Sequence, residues 1–258
     1  MSASTHDDLI RDQFTRQARA FNTAAPIANE AALEMVVDAA RPGPDDTVLD
    51  VACGGGLVAR ALAPHVRHAT GIDVTPAMLD EARQAAATQG LGNVSWDQGD
   101  VTRLPYDDGS FSIVATRLSF HHFLDPKAAL AEMVRVCRPG GRIVVIDSSP
   151  SEDPAKAAAF NRLEKLRDPS HVRALPLSEM TGLFAAAGLG EPAVTRYELR
   201  DEVKNLLARS FPNPGDDVKI TEMFRQSASD DRLGIPVRVE GETIRYAYPV
   251  AICAASRP

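Results

Sequence analysis

The sequence predicts a doubly wound α/β fold, in which a mainly parallel sheet carries helices on both faces. Short apolar runs bounded by turn residues alternate with helical patterns, and they recur at the spacing of βαβ units. A glycine cluster follows the first run directly. Right-handed crossovers would then place the helices on both sides of the sheet. A chain of 258 residues buries roughly 70–75% of its unfolded surface, so the core needs no disulfide or metal.

Two helices are expected before the first strand. Apolar residues recur every three to four positions from Leu9 to Phe21, and a second segment with this period follows Pro26 and covers 27–40. The Arg-Pro-Gly-Pro cluster at 41–44 ends it. We therefore expect a helical cap at the amino terminus.

The central segment alternates strands and helices. Strands are predicted at 47–51, 68–73, 94–98, 111–117 and 142–147, and helices at 57–63, 76–89 and 126–137. In an open α/β sheet the ligand lies beyond the carboxyl ends of the strands. The residues that follow each strand are therefore the ones to search for function.

The carboxyl-terminal part departs from this alternation. Four prolines flank or follow a charged helix at 155–167, which predicts an insertion over the sheet edge. Helices are then expected at 178–187, 202–209 and 217–227, and strands at 193–199 and 243–254. We expect a single domain over 1–258, with a cap (1–42), a core (43–147), a lid insertion (148–178) and a segment that completes the sheet (179–258).

Composition and charge limit the partners. The chain has 28 Lys and Arg against 35 Asp and Glu, a net charge of −7, so no broad positive field would attract nucleic acid. Residues 1–8 lack the basic and apolar regions of a secretory signal, and no apolar stretch approaches the roughly 20 residues that span a bilayer. We expect a cytoplasmic monomer or homodimer without membrane insertion.

The three cysteines are expected to be free buried thiols. Cys53, Cys137 and Cys253 are far apart, odd in number and without close Cys or His partners. This spacing argues against a disulfide framework and against a metal site.

Three successive strands end in a carboxylate: Asp50, Asp73 and Asp100. After the first, Gly54 and Gly56 allow a sharp turn, and the next helix offers its free amides to a polar group. Asp73 is placed to bind a ribose diol. A ligand with an amino group, a ribose and an adenine amine would use all three carboxylates, whereas the pyrophosphate of a dinucleotide would be repelled.

Alternatives remain at this edge. Asp73 could instead cap the following helix, although Thr75 is the better candidate for that cap. Met78 could lie against an adenine ring or pack in the core. Gly54-x-Gly56-x-x-Ala59 also fits the loose dinucleotide fingerprint of an NAD(P)-dependent oxidoreductase. That alternative leaves Asp100 unexplained, and no tyrosine has a lysine four residues later.

Five motifs together resemble the class I S-adenosylmethionine-dependent methyltransferases. They are VLDVACGGG at 48–56, GIDVTPAMLDEAR at 71–83, GDVTRLPYDDGSF at 99–111, RLSFHHF at 117–123 and RVCRPGGRIVVID at 135–147. The chain is similar above all to the branch of quinone-biosynthesis C-methyltransferases and other small-molecule methyltransferases, over about residues 10–190. The resemblance implies a Rossmann-like seven-stranded sheet with an antiparallel last strand, S-adenosylmethionine as donor and S-adenosylhomocysteine as product.

The resemblance also implies a set of donor-binding residues: Asp50, Ala52, Gly54, Gly56, Asp73, Val74, Met78, Asp100 and Val101. Asp50 and the glycine turn would hold the methionine moiety, Asp73 the ribose hydroxyls, and Asp100 with Val101 the adenine edge. The sequence departs from the family in two places. Ala52 stands where many members have the first glycine, and Ser112 stands where an aspartate usually opens the fourth strand.

His121 is the candidate catalytic base. Methyl transfer is an in-line displacement in which the protein mainly aligns the reactants, and a base helps when the acceptor carries a proton. Histidine suits this task because its pKa is near neutrality. We expect His121 to face the site and His122 to pack behind it; alternatively both are structural. Arg117 could hold a polar group of the acceptor or neutralise a nearby acid.

Acceptor contacts are expected from the lid, from the first helix and from His122. His171 and Arg173 lie in the lid, where they could contact the acceptor or pin the lid to the domain. Phe14, Gln17 and Phe21 would close the other side, although the aromatic pair could equally be core residues. The expected reaction is methyl transfer to a C, O or N atom of a small hydrophobic or aromatic metabolite of quinone or secondary-metabolite type. A protein that binds the donor but catalyses another reaction is the further alternative.

Overall fold

Nine helices are present in the computed structural model, which describes residues 5–258 apart from the side chains of 21–23. They are α1 (His6–Thr23), α2 (Glu30–Ala40), α3 (Leu57–Leu62), α4 (Pro76–Thr88), α5 (Pro126–Val136), α6 (Pro154–Arg167), α7 (Leu177–Ala186), α8 (Val203–Ala208) and α9 (Asp216–Asp230). One-turn 3₁₀ helices cover Ala63–His65 and Phe120–His122. No helix in these described residues is both long and apolar enough to cross a membrane.

The strands form one mixed sheet. They are β1 (Thr47–Val51), β2 (His68–Asp73), β3 (Val94–Gln98), β4 (Phe111–Arg117), β5 (Cys137–Ser148), β6 (Ala193–Glu202), β7 (Val237–Glu240) and β8 (Thr243–Ser256). The order is β3-β2-β1-β4-β5-β8-β6, with β7 paired to β8 off this path. The first five strands are parallel, and β8 is antiparallel to both its neighbours in the path. The predicted Rossmann-like path of seven strands, with an antiparallel last strand, is confirmed.

The observed strands differ from the predicted ones in several places. Strand β5 begins at Cys137, five residues before the predicted start at 142, because Cys137 pairs with Phe111 of β4 across a register shift. The sheet contains an eighth strand, β7, which the sequence analysis missed because its side chains are mostly exposed and no hydrophobic run marks it. Pairing with β8 forms it. Strand β6 also runs further than predicted, to Glu202, because it pairs with β8 along its full length.

Helices pack on both faces of the sheet, as the βαβ alternation predicts. On one face α2, α3, α6 and α9 contribute to a large apolar cluster; on the other, α5 and α7 contribute to a second. Phe160 and Leu163, in the segment predicted as a lid, are fully buried in the first cluster. Part of that segment is therefore core rather than cover.

The register places the functional strand ends side by side. Asp50 of β1 pairs with Gly71 of β2 and with Ala115 of β4. Ser112, at the start of β4, exchanges hydrogen bonds with Thr47 of β1, so the serine holds the amino ends of these two strands together. The carboxyl ends of β2, β1 and β4 consequently form one continuous edge.

Candidate active site

A cavity of about 290 Å³ lies at this edge and is called the larger cavity below. Its walls come from the ends of β1, β2 and β4, the turn after β3, the 3₁₀ helix at 120–122 with its flanks, and α1. The lining residues are His6, Asp7, Ile10, Phe14, Ala52, Cys53, Gly54, Asp73, Val74, Met78, Asp100, Val101, Thr102, Arg117, Leu118, Ser119, His122, Phe123 and Leu124.

The turn after β1 forms the floor of the larger cavity. Ala52 and Gly54 both have left-handed backbone conformations, with φ of 53° and 51°. This conformation costs an alanine on the order of 1–2 kcal/mol but costs a glycine little. A glycine at position 52 would avoid this strain, whereas the alanine of this chain carries it.

Asp73 is fixed by two backbone amides at the end of β2. Its Oδ2 accepts from the Gly54 amide and its Oδ1 from the Thr75 amide, each at 2.8 Å. Burial raises the pKa of Asp73, and the amides only partly oppose this shift. Thr75 occupies the N-cap position of α4, as expected, but its side chain makes no capping hydrogen bond, and its buried hydroxyl has no hydrogen-bond partner in the described chain.

Two predicted donor residues do not line the larger cavity. Asp50 is buried beneath it, where its Oδ2 accepts from the Ala59 amide at 2.9 Å. Burial raises the pKa of Asp50 to about 7, with the Ala59 amide opposing the shift. Gly56 faces Trp96 instead: a Cβ there would lie 2.2 Å from the indole ring. Its role in this structure is to let α3 and β3 approach.

The remaining predicted donor residues do line the larger cavity. Val74 and Met78 follow β2, and Asp100 and Val101 follow β3. Met78 is also only 1% exposed, so contact with the cavity and packing in the core are compatible. The Oδ1 of Asp100 accepts from the Thr102 amide at 2.8 Å, which fixes the carboxylate at the rim.

A smaller cavity of about 80 Å³ adjoins the larger one. The two share Phe14, Leu118 and His122 as lining residues. The smaller cavity is also lined by Gln17, Pro26, Ile27, His121, Ser148, Glu164, Arg167, Asp168, Leu199, Leu206, Arg209, Tyr246 and Tyr248. Its wall is thus largely aromatic and aliphatic, with a few charged groups.

His121 lines the smaller cavity and is held by Asp147, at the end of β5. Its Nδ1 donates to Asp147 Oδ1 at 2.6 Å, and its backbone amide donates to Oδ2 at 2.9 Å. Burial disfavours the charged imidazole, but the charge of Asp147 and the hydrogen bond to it outweigh burial and raise the pKa of His121. This bond directs the proton to Nδ1 and leaves Nε2 as the proton acceptor.

His122 packs against His121, with ring centroids 4.3 Å apart, and it also lines both cavities. Successive side chains of a 3₁₀ turn point about 120° apart, so neighbouring residues can border two spaces that wrap around the turn. Its Nδ1 donates to the Ser170 carbonyl at 3.1 Å. Burial, together with the neighbouring His121, lowers the pKa of His122 to about 3, so this ring is neutral.

The two predicted lid contacts are not cavity residues. His171 is buried and its Nε2 donates to Asn161 Oδ1 at 2.8 Å. Arg173 pairs with Glu179 at 2.5 Å near the surface. The backbone amides of Val172 and Arg173 donate to the His121 carbonyl. The alternative in which these residues pin the lid fits these contacts.

Helix α1 contributes to both cavities. Phe14 packs edge-on against His122, with ring centroids 5.1 Å apart, and Gln17 lines the smaller cavity. His6 Nε2 donates to the His122 carbonyl at 2.8 Å and ties the start of the helix to the site. The side chain of Phe21 lies outside the part of the chain that the structure describes.

The sequence analysis missed several site residues. Asp147 ends β5 as Asp50 ends β1, so the same strand-end rule could have found it. Tyr248 donates to Glu164 Oε1 at 2.6 Å, and Arg167 pairs with the same carboxylate at 2.8 Å. No pattern in the sequence brings Tyr248, from β8, to these α6 residues; only the sheet topology does.

The described residues include no group of three or more His, Cys, Asp or Glu side chains placed to hold a metal ion. Cys53, Cys137 and Cys253 are buried free thiols, as predicted.

Comparisons with known proteins agree with the geometry. The family described as "Methyltransferase domain" matches residues 49–145. The uncharacterised methyltransferase YcgJ of Bacillus subtilis is 31% identical over 236 residues, covering 90% of this chain and 93% of that protein. The crystal structure of YcgJ has a TM-score of 0.81 at 28% identity and covers 89% of this chain and 100% of that one.

Two relatives with named substrates match in part. A demethylmenaquinone methyltransferase of Deinococcus radiodurans is 43% identical over 116 residues, 44% of this chain and 47% of that protein. Ajmaline N-methyltransferase of Rauvolfia serpentina is 32% identical over 198 residues, 68% of each chain. The names of these relatives thus span different acceptors.

Proposed function

The chain belongs to the methyltransferase-domain family of class I S-adenosylmethionine-dependent enzymes, and from this premise we propose its reaction. It transfers a methyl group from S-adenosylmethionine to a C, O or N atom of a small hydrophobic or aromatic metabolite, of quinone or secondary-metabolite type. The observation that carries this proposal is the pair of adjoining cavities. The larger has carboxylates at two strand ends, Asp73 and Asp100, and the smaller has a histidine held by a carboxylate.

The larger cavity suits the donor. Asp73, at the end of β2, would accept from the ribose hydroxyls, and Asp100 with Val101 lies one strand further along, where we place the adenine. Asp50 lies under the turn at 52–54, on the side where the methionine moiety would lie. The carboxylates at the rim disfavour a dinucleotide, whose pyrophosphate is anionic.

The smaller cavity suits the acceptor. When bound, the donor supplies an activated methyl group for in-line displacement. His121 would remove the acceptor's proton through Nε2, because Nδ1 is committed to Asp147. Phe14, Tyr246 and Tyr248 offer aromatic surface to a ring. The buried free thiols fit the reducing cytoplasm in which we place the enzyme.

Calorimetry with S-adenosylhomocysteine tests the proposal. We expect wild-type protein to bind it and Asp73→Ala to weaken binding by about 10- to 100-fold, because a charged hydrogen-bond acceptor is lost. Asp97→Ala is the matched control, since Asp97 is an exposed acid of β3 that bonds only the Tyr106 hydroxyl. Failure of the wild type to bind either S-adenosylmethionine or S-adenosylhomocysteine would refute the proposed function.

A further inference from the structure

Arg117 is a buried arginine that forms no ion pair in the described part of the chain, although its charge opposes the rise in the pKa of the buried Asp50. It is 8% exposed, and the one hydrogen bond to its side chain is a long contact of 3.4 Å from Nε to the Tyr197 hydroxyl. One terminal nitrogen is buried with no hydrogen-bond partner. A buried guanidinium with no counter-charge is costly, so such groups are normally paired.

Two partly buried arginines near the site are paired. Arg167 and Arg209, which line the smaller cavity, lie 2.8 Å from Glu164 and 2.5 Å from Asp201. Arg117 lines the larger cavity and not the smaller one. An anion bound in the larger cavity would give Arg117 the partner that the protein does not supply.

The place of Arg117 along the sheet edge indicates which anion this is. The strand order runs β3, β2, β1, β4, so Asp100, Asp73, the turn at 52–54 and Arg117 follow one another across the larger cavity. With adenine at Asp100 and ribose at Asp73, the amino-acid end of the donor reaches the ends of β1 and β4. Arg117 and Asp50 also border one small cavity of about 20 Å³ beneath this end.

Charge supports the same placement. The donor carries two cationic centres, its sulfonium and its ammonium, and one anion, its α-carboxylate. The acids of the larger cavity are Asp7, Asp73 and Asp100, and Arg117 is the arginine that lines it. The ring of the neighbouring His122 is neutral, so it offers no positive charge to the donor's carboxylate.

We propose that Arg117 binds the α-carboxylate of the methyl donor, an assignment that rests on the proposed function. The amino-acid end then lies against the guanidinium of Arg117 and above the buried carboxylate of Asp50, and these two charges match those of a zwitterion. Tyr197 acts as a positioning residue, because its hydroxyl accepts from Arg117 Nε and leaves the outer nitrogens for the carboxylate. Arg117 is thereby assigned to the donor and not to the acceptor.

Decarboxylated S-adenosylmethionine isolates this contact, since it lacks only the α-carboxylate. By calorimetry, wild-type protein should bind S-adenosylmethionine about 10- to 100-fold more tightly than the decarboxylated compound. Arg117→Met should lose this preference through weaker binding of S-adenosylmethionine, while its affinity for the decarboxylated compound changes less than about threefold. Arg117→Lys should keep part of the preference because it retains the charge.

Arg138→Met serves as the control, because Arg138 lies at the opposite edge of the sheet, near Asp46, and should leave both affinities unchanged. Equal binding of the two compounds by the wild type would overturn the proposal. So would an Arg117→Met variant that loses both ligands equally, which would show a purely structural arginine, or one that loses neither. If wild-type protein binds neither compound, it is the proposed function that fails.

Discussion

Asp147 determines how His121 can act in the proposed reaction. It accepts from both the ring Nδ1 and the backbone amide of His121, so it fixes the tautomer and the direction of the ring. Its negative charge favours the imidazolium and raises the pKa of His121, while Glu164 adds to this effect and Arg167 opposes it. His121 should therefore serve as a base only above its raised pKa.

The hydrogen-bonded pair of His121 and Asp147, called the dyad below, gives a prediction for the pH dependence of activity. Asp147→Asn removes the charge, so the pKa of His121 should fall and the acid limb of the activity profile should move to lower pH. NMR titration of the His121 ring measures this shift without an acceptor.

With any acceptor that the wild type methylates, His121→Ala should lower turnover by about 10²- to 10⁴-fold and leave affinity for S-adenosylhomocysteine nearly intact.

Glu179→Gln provides a control for the dyad, because Glu179 pairs with Arg173 near the surface and should leave the His121 titration unchanged. An Asp147→Asn variant in which the His121 pKa stays the same, or rises, would contradict the assigned roles. An unchanged rate in His121→Ala would remove this residue from the mechanism.

Single site residues could be predicted from the sequence where a polar side chain lies at or directly after the end of a strand. Asp73 and Asp100 were found this way, and both line the larger cavity. The partner of His121 was missed because Asp147 is 26 residues away and meets it only through the pairing of β4 with β5. Distances of this kind depend on sheet register, which spacing along the chain does not encode.

At the scale of elements, the turn between β1 and α3 depends on its contact with β3. Gly56 has φ of 73°, and Trp96 occupies the space where a side chain would lie. Gly90, which follows α4, has a similar φ of 69° but has open space around it. Comparing the two glycines therefore distinguishes the cost of a left-handed backbone from the cost of a steric clash.

Alanine at these two glycines should therefore have different effects. Gly90→Ala should destabilise the protein by about 1–2 kcal/mol, the cost of a left-handed alanine. Gly56→Ala should cost about 1–3 kcal/mol more, because overpacking against Trp96 adds to the same strain. Urea unfolding followed by far-UV circular dichroism measures both free energies, and equal values would show that the contact with Trp96 is readily relieved.

Elements were predictable where hydrophobicity and turn residues coincide. The bounds of β1, β2, β3 and β4 match the predicted ranges, since each is a short run flanked by turn residues. Strand β7 was not predictable in this way, because its residues are largely exposed and it pairs with β8 beside the main path of the sheet. Local pattern thus predicts buried strands better than edge strands.

At the scale of the whole molecule, part of the net charge of −7 is concentrated at one edge of the sheet. Asp50 and Asp73 are both buried there, and burial raises the pKa of each carboxyl. The negative charge of Asp73 raises the pKa of Asp50 further. When ionised, such groups lower the stability of the fold, because a charged carboxylate is held out of water. The stability of the free protein should therefore depend on their titration.

Asp50 makes this dependence measurable. Its pKa is about 7 in the folded protein against 3.8 for the ordinary group, so the folded state holds this proton more tightly than the unfolded state. The stabilisation is fully present below about pH 4 and is lost as the pH rises towards 7, by roughly 1.4 kcal/mol per pH unit across that window. Asp50→Asn does not titrate, so its stability relative to the wild type should rise over the same range.

Urea unfolding of both proteins at pH 5 and pH 8 measures this difference, and other titrating groups largely cancel in it. S-adenosylhomocysteine should reduce it, because an ammonium group beside Asp50 favours the ionised carboxylate that high pH produces. A difference that stays constant with pH would show that Asp50 is ionised throughout. In that case the charge of the site would be neutralised within the protein, and the donor's ammonium would not be needed to stabilise it.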